Sequence, residues 1–257
     1  MSSIPFGAIP VLDKGYVLLI GGTYNYEYTP CGKLLAYTIG EARSVDDARV
    51  SVGGVAKVMD DGNMRTLRYL LDKAHTSPFR GQVLTVEIKA PLMVAQQIKT
   101  YLVGHDHYPT PPSRDPFYSW NQSSERYIEE DKEFYMPQEW RGRPKYRSQG
   151  SLGTLDNSGD ITARYEEFVS ICLSNYREMI KIGMCAEMAR GWIPTAFLYT
   201  RWRWTMSLQG ACWFLKQRLP KDAQQETRLF AEALKEIAVP LAPNIIEHLS
   251  GMGAPKK

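Results

Sequence analysis

The run Ser119-Trp120-Asn121-Gln122-Ser123-Ser124-Glu125-Arg126-Tyr127 sets small hydroxyls, two amides and one guanidinium between aromatic rings. Arginine pairs with phosphate through a planar fork of donors, and neighbouring hydroxyls and backbone N–H groups can complete an anion cradle. The aromatic rings add flat apolar surface. Such an inventory suits an anionic, planar molecule, and a nucleotide is the natural candidate. The plainer alternative is a polar loop whose Ser and Asn side chains make local turns.

Other chemistries find less support. Cys31, Cys172, Cys185 and Cys212 form no C-x-x-C pair, which argues against a zinc site or a disulfide framework. His105 and His107 flank Asp106, but no third ligand follows at metal-site spacing, so this reads as a solvated loop and no metal is expected. Neither G-x-G-x-x-G nor a P-loop is present, which disfavours a Rossmann-type dinucleotide site. A net charge of +3 is too small to argue for a nucleic-acid polymer. No apolar run approaches the roughly 20 residues that cross a bilayer, so no membrane partner and a cytoplasmic location are expected. The 257 residues, 44% hydrophobic and 23% charged, suit one substantial soluble domain spanning 1–257.

Written as S-x-N-x-x-S-x-R-Y, the run resembles the second half of the signature of the flavin-dependent thymidylate synthases. Upstream, His75-Thr76-Ser77-Pro78-Phe79 and Val83 to Pro91 resemble family segments in the same order, and so does Glu133-Phe134-Tyr135-Met136-Pro137 downstream. Leu198-Tyr199-Thr200-Arg201 then leads into Trp204-Thr205, Phe214-Leu215, Arg218, Ala223-Gln224 and Glu226. Roughly residues 42 to 238 follow the family pattern.

The resemblance implies reductive methylation of uracil C5 in UMP or dUMP, with FAD as cofactor and methylenetetrahydrofolate and NADPH as co-substrates. It makes Arg218 the uracil-activating catalytic group. Substrate contacts are implied for Gln97, Arg114, Gln122, Ser123, Ser124, Glu125, Arg126, Tyr127, Arg190 and Arg218. Flavin contacts are implied for Ser77, Arg80, Asn121, Gln122, Ser207, Gln209 and Trp213. Without the family, Arg190 and Arg218 read as surface ion pairs. No cysteine stands in the Pro-Cys-His setting of the classical folate-dependent enzymes, so a route through flavin hydride fits better. The family is homotetrameric, with active sites built from several subunits.

The departures are equally specific. Ser207 and Gln209 occupy positions where the family has Asn and Arg, and Arg80 stands for a Glu. Gln122 replaces the glutamate after the signature Asn, and Glu125 replaces a glycine. The family's Arg-His-Arg triplet falls on Arg114-Asp115-Pro116 when counted back from the signature, and on Thr100-Tyr101-Leu102 when counted forward from Ala95-Gln96-Gln97. An insertion of about a dozen residues reconciles the two counts. A remodelled pocket suits the UMP-accepting branch tied to polyoxin-type nucleoside antibiotics, because tolerating an added hydroxyl discriminates weakly. Two rivals remain: hydroxymethylation of a pyrimidine nucleotide, and a nucleotide-binding homologue without catalysis.

These residues need a scaffold. Leu84, Val86 and Ile88 alternate with polar residues as in a strand with one buried face, and Tyr16 to Ile20 suits a strand or hairpin arm. Ser44 can cap a helix through Arg49, and Asn63 one carrying Met64, Leu67, Leu70, Leu71 and Ala74 at helical spacing. Pro91 suits the first turn of a helix to about Tyr101. Prolines 109, 111, 112 and 116 make 104–116 a loop, and 141–159 is a second connection. Ile161 to Ile180 carries an amphipathic pattern that Gly183 can end. Asp222 and Gln225 resemble a capping box for a final helix before Pro240. The tally indicates an α/β (α+β) chain with a central mixed sheet flanked by helices.

Overall fold

The computed structural model describes residues 4–28, 34–38, 40–54, 56–100, 118–123, 132–144 and 150–251. Strands β1 (Ile9–Val11) and β2 (Gly15–Gly22) form an antiparallel hairpin. Gly15 sits where a Cβ would meet the carbonyl oxygens of Lys89 at 2.6 Å and Val11 at 2.7 Å, so only glycine lets the hairpin close against its neighbour. Strands β3 (Tyr24–Tyr28) and β4 (Leu34–Thr38) pair separately.

Three helices follow: α1 (Glu41–Arg49), α2 (Asp61–Asp72) and the short α3 (Ser77–Arg80). Strand β5 (Val83–Pro91) then enters the sheet, α4 (Leu92–Lys99) leaves it, and β6 (Ser119–Gln122) carries the start of the signature. The long α5 (Ser158–Lys181) and the single-turn α6 (Ala186–Ala189) precede β7 (Tyr199–Ser207), which runs directly into α7 (Leu208–Arg218). Helices α8 (Gln225–Ala238) and α9 (Pro243–Leu249) complete the described chain.

The main sheet has the order β1-β2-β5-β7-β6, and all its pairings are antiparallel where a mixed sheet was expected. Each of its strands meets a neighbour running the opposite way, so no parallel crossover unit is built. On β5, Leu84, Val86 and Ile88 are buried beside Met206, Trp204 and Trp202 of β7, their cross-strand partners. That face packs under α2, α4, α7, α8 and α9 in one core cluster. The intervening positions, Thr85, Glu87, Arg201, Arg203 and Thr205, form a second and polar face.

Several local expectations give way to longer-range partners. Ser44 lies inside α1, buried, and accepts from the Gln82 side chain, while Gly40 holds the cap position. Asp60, three residues before Asn63, caps α2 by accepting from the Asn63 N–H at 2.7 Å. Asn63 instead donates its side chain to the Val58 carbonyl at 2.7 Å. Pro91 ends β5 and occupies the cap of α4, which stops at Lys99. Gln224 rather than Asp222 stands at the start of α8, and α9 follows beyond Pro240.

Helix α5 ends as expected, with Gly183 in the left-handed region at φ 94°. Its pattern is only partly spent on packing. Val169, Tyr165, Leu173 and Tyr176 join a small cluster with Phe134, Ile193 and Leu198, but Phe168 and Ile171 are about half exposed. The proline-rich loop, Cys31 and the His105–His107 pair lie outside the described residues.

Candidate active site

The signature begins on the edge strand β6, and three kinds of contact hold it to β7. Backbone pairing sets Asn121 opposite Arg203 and Gln122 opposite Trp202. The Gln122 side chain donates to Thr200 Oγ1 at 3.0 Å and accepts from the indole N–H of Trp120 at 3.2 Å. Ser123 donates its N–H to the Arg201 carbonyl at 2.8 Å, and its hydroxyl accepts from the Arg201 N–H at 3.3 Å. Below them Trp120 stacks on Trp202 with ring centroids 4.7 Å apart. The start of the signature is thus tied to β7, while Ser124, Glu125, Arg126 and Tyr127 lie outside the described residues, as does Arg114.

Charge gathers on the polar face beside it. Arg203 pairs with Glu87 at 3.1 Å, and Tyr16 donates its hydroxyl to the other oxygen of that carboxylate at 2.8 Å. Burial raises the Tyr16 hydroxyl to about 12, Glu87 adds to the effect and Arg201 opposes it. Asn121 and Arg201 are exposed on this face. Arg203 is thus matched by Glu87, and Arg201 beside the Asn121 amide is the cation that suits an anionic ligand.

The other implied residues divide by element. Helix α3 packs on α7, and just after it the Gln82 carbonyl accepts from the Leu208 N–H at 2.7 Å, at the end of α7 that carries Ser207 and Gln209; Trp213 lies mid-helix. Ser207 caps that helix, accepting from the Gly210 N–H at 3.0 Å, and is 1% exposed. Gln209 is also buried, whereas Trp213 is half-buried with Lys216 over its ring at 5.5 Å. Arg218 is half-buried at the opposite end of α7, in its last turn. Gln97, on α4, is bonded to Gln224 and Thr227 of the α8 region. Arg190 is exposed at the start of a short 3₁₀ turn packed on α5 and α6.

Beside Ser77 opens a cleft of about 620 Å³ lined by Asp47, Ala48, Ser51, Leu70, Ala74, His75, Ser77 and Pro78. Ala74 reaches it through a left-handed conformation at φ 54°, an unusual state for a residue with a Cβ, and so turns the chain from α2 into His75. Asp47 is bonded to Arg43 at 2.7 Å, yet burial still raises its carboxyl above the usual range.

Thr200 and Arg201 stand in the sequence only as part of a family segment, and Trp202 and Arg203 in none, so their place at the site is set by the β7 pairing. The alternation of Trp202 and Trp204 with Arg201 and Arg203 was the available signal of a strand with one apolar and one charged face.

A family model described as thymidylate synthase complementing protein, Thy1, matches residues 33–244. This chain belongs to that family. It is 34% identical over 239 residues to the flavin-dependent thymidylate synthase of Thermus thermophilus, covering 91% of this chain and 76% of that protein. It is 30% identical over 241 residues to the enzyme of the same name from Treponema pallidum, covering 91% and 68%. Among solved structures, the UMP/dUMP methylase PolB of Streptomyces cacaoi bound with 5-Br dUMP superposes with a TM-score of 0.71 at 21% identity, covering 95% of this chain and 97% of PolB. Its complex with 5-Br UMP gives 0.70 at 20% identity. The family match spans β5, the signature strand, β7 and α7, so the elements that shape the site are the ones held in common.

Proposed function

We propose that this protein reductively methylates C5 of a uridine monophosphate, with FAD as cofactor, methylenetetrahydrofolate as carbon donor and NADPH as reductant. The observation that supports the reading is the anchorage of Gln122 and Ser123, inside the signature, to Thr200 and Arg201 of the neighbouring strand. Arg126 and Ser124 bind the nucleotide phosphate, with Tyr127 and Glu125 completing that wall and Arg190 and Arg114 adding charge. Arg218 lies against the uracil ring, where its guanidinium stabilises the negative charge that develops on the carbonyls as C5 becomes nucleophilic. Gln97 contacts the same nucleotide.

The cleft beside Ser77 supports a flavin site: its volume lies within the ~300–1,000 Å³ of ligand pockets, and Ser77, Ser51, His75 and Asp47 set polar groups among Ala, Leu and Pro walls. Arg80 and Trp213 are further proposed flavin contacts, and Asn121 and Gln122 are proposed to meet the flavin from β6 rather than within this cleft. Ser207 supports the flavin site by capping α7, and Gln209 is buried in the first turn of that helix. The bound flavin supplies the hydride chemistry, while the protein excludes water and sets the charge around the ring.

UMP is included beside dUMP because Gln122 is neutral where the family has a glutamate, and because PolB, which shares the fold, is a methylase of both. A place in nucleoside-antibiotic biosynthesis accords with UMP use. Phe168 and Ile171 on α5 offer apolar surface for a homotetramer, with each chain contributing one domain. Among the described residues no helix is long and apolar enough to cross a membrane, which accords with a cytoplasmic enzyme.

Incubation of the flavin-loaded protein with UMP or dUMP, methylenetetrahydrofolate and NADPH, followed by mass analysis, should show the gain of one methyl group. Absence of that gain on both nucleotides sinks the proposal. Arg218→Ala should abolish methylation and leave the flavin bound.

A further inference from the structure

Behind Gln97 a chain of hydrogen bonds leads to a buried ion pair. Glu226, 4% exposed, accepts from Arg141 Nη2 at 2.6 Å, and Arg141 is itself held through its Nε by Ser151 Oγ at 2.8 Å. An ion-paired carboxylate accepts hydrogen bonds and donates none. Gln224, whose Nε2 lies 3.1 Å from Glu226 Oε2, must therefore turn its NH₂ end that way. The same nitrogen reaches Met93 Sδ at 3.7 Å. Gln224 Oε1 is thereby aimed at Gln97, and it accepts from Gln97 Nε2. Thr227, fully buried, donates its hydroxyl to Gln97 Oε1 at 2.9 Å.

The orientation of the Gln97 amide is thus set two links away. A carboxamide carries two N–H groups and two oxygen lone pairs. With one of each committed to α8, Gln97 keeps one N–H and one lone pair for a ligand, each on a fixed flank. A freely rotating amide could exchange the flanks and serve either of two complementary ligands.

We propose that Glu226 and Gln224 are positioning residues that hold Gln97 with its remaining N–H towards a uracil carbonyl, and so make the pocket take a uracil ring over a cytosine ring. This rests on the reading that Gln97 contacts the nucleotide. Cytosine carries an amino group where uracil has its C4 carbonyl, so a fixed N–H there faces another donor and both go unpaired. A site built to hydrogen-bond one group rejects the analogue lacking it far better than an apolar wall does.

Competition binding of UMP and CMP to the full chain tests this. Gln224→Met keeps the bulk of the stem and leaves the Glu226–Arg141 pair intact, and Glu226→Gln replaces the fixed acceptor by an amide that can turn either end to Gln224. Each should weaken UMP but not CMP, shrinking the UMP:CMP affinity ratio by about tenfold or more. A general loss of folded protein lowers both affinities together and leaves that ratio unmoved. Gln97→Ala should weaken UMP in any case. An unchanged ratio in Gln224→Met, with UMP weakened in Gln97→Ala, overturns the relay alone. Unchanged UMP binding in Gln97→Ala overturns the placement of Gln97 and the relay with it.

Discussion

The side chain of Gln122 donates to Thr200 Oγ1 at 3.0 Å across the β6–β7 pair, so the signature strand is tied to its neighbour by more than backbone bonds. Thr200 is buried, and its hydroxyl also lies 3.4 Å from Ser123 Oγ. Thr200→Val keeps the shape but strands the Gln122 amide without its acceptor. The expected cost is about 1–2 kcal/mol, read from the urea midpoint. UMP affinity should fall with it, and an unchanged midpoint and affinity would show that the tie is unimportant.

Glu41 is buried at the start of α1, yet it serves α9, some two hundred residues later. Its carboxylate accepts from the Asn244 N–H at 2.5 Å, the Ile245 N–H at 3.2 Å and Asn244 Nδ2 at 2.9 Å. The two backbone N–H groups are donors that a helix start leaves unpaired. Glu41→Ala should therefore lose about 2–3 kcal/mol in chemical denaturation, and Glu41→Gln less, since one oxygen still accepts.

Two tryptophans of the sheet should respond differently. Trp204 is 0% exposed and meets Phe214 edge-on at 5.1 Å, so Trp204→Ala should cost about 3–5 kcal/mol. Its indole N–H has no hydrogen-bond partner among the described residues, so Trp204→Phe removes a buried unpaired donor and should cost much less. Trp120 is half-buried in the stack on Trp202. Trp120→Ala should cost about 1–2 kcal/mol and weaken nucleotide binding beyond what the stability loss explains.

Alkaline pH should destabilise the protein through its tyrosines. Burial raises Tyr165 and Tyr118 to about 12, and burial with help from Asp13 pushes Tyr199 further up. Unfolded tyrosine titrates near its ordinary value of about 10. Below that pH both states hold the proton and the full stability is present; above it the unfolded chain loses protons first. Stability should therefore be flat to about pH 9 and fall between about pH 10 and 12. Tyr165→Phe should flatten that fall, which a series of urea midpoints against pH would show. A midpoint unchanged to pH 12 would exclude the effect.

Where a pattern depends on near neighbours in the chain, it could be read in advance. Leu84, Val86 and Ile88 did alternate into the core, Leu67, Leu70 and Leu71 did line the buried face of α2, and Gly183 did end α5. The caps were harder. Ser44 and Asn63 have the chemistry of cap residues, but Gln82 and the Val58 carbonyl claimed their side chains. On α5 the apolar period was real and its burial was not, because Phe168 and Ile171 extend past the cluster that covers Val169.

By itself the sequence determined the family, since S-x-N-x-x-S-x-R-Y and its flanking segments are chemistry written at fixed spacing. It also determined the elements whose hydrophobic period repeats every two or three to four residues, because that period needs only the geometry of one strand or helix. Tertiary structure alone decided the antiparallel register of β7 between β5 and β6, the service of Glu41 to α9, and the line from Glu226 through Gln224 to Gln97. These partnerships hold polar groups that packing has removed from water. Which donor meets which acceptor then depends on where whole elements come to rest, a property that no local spacing encodes.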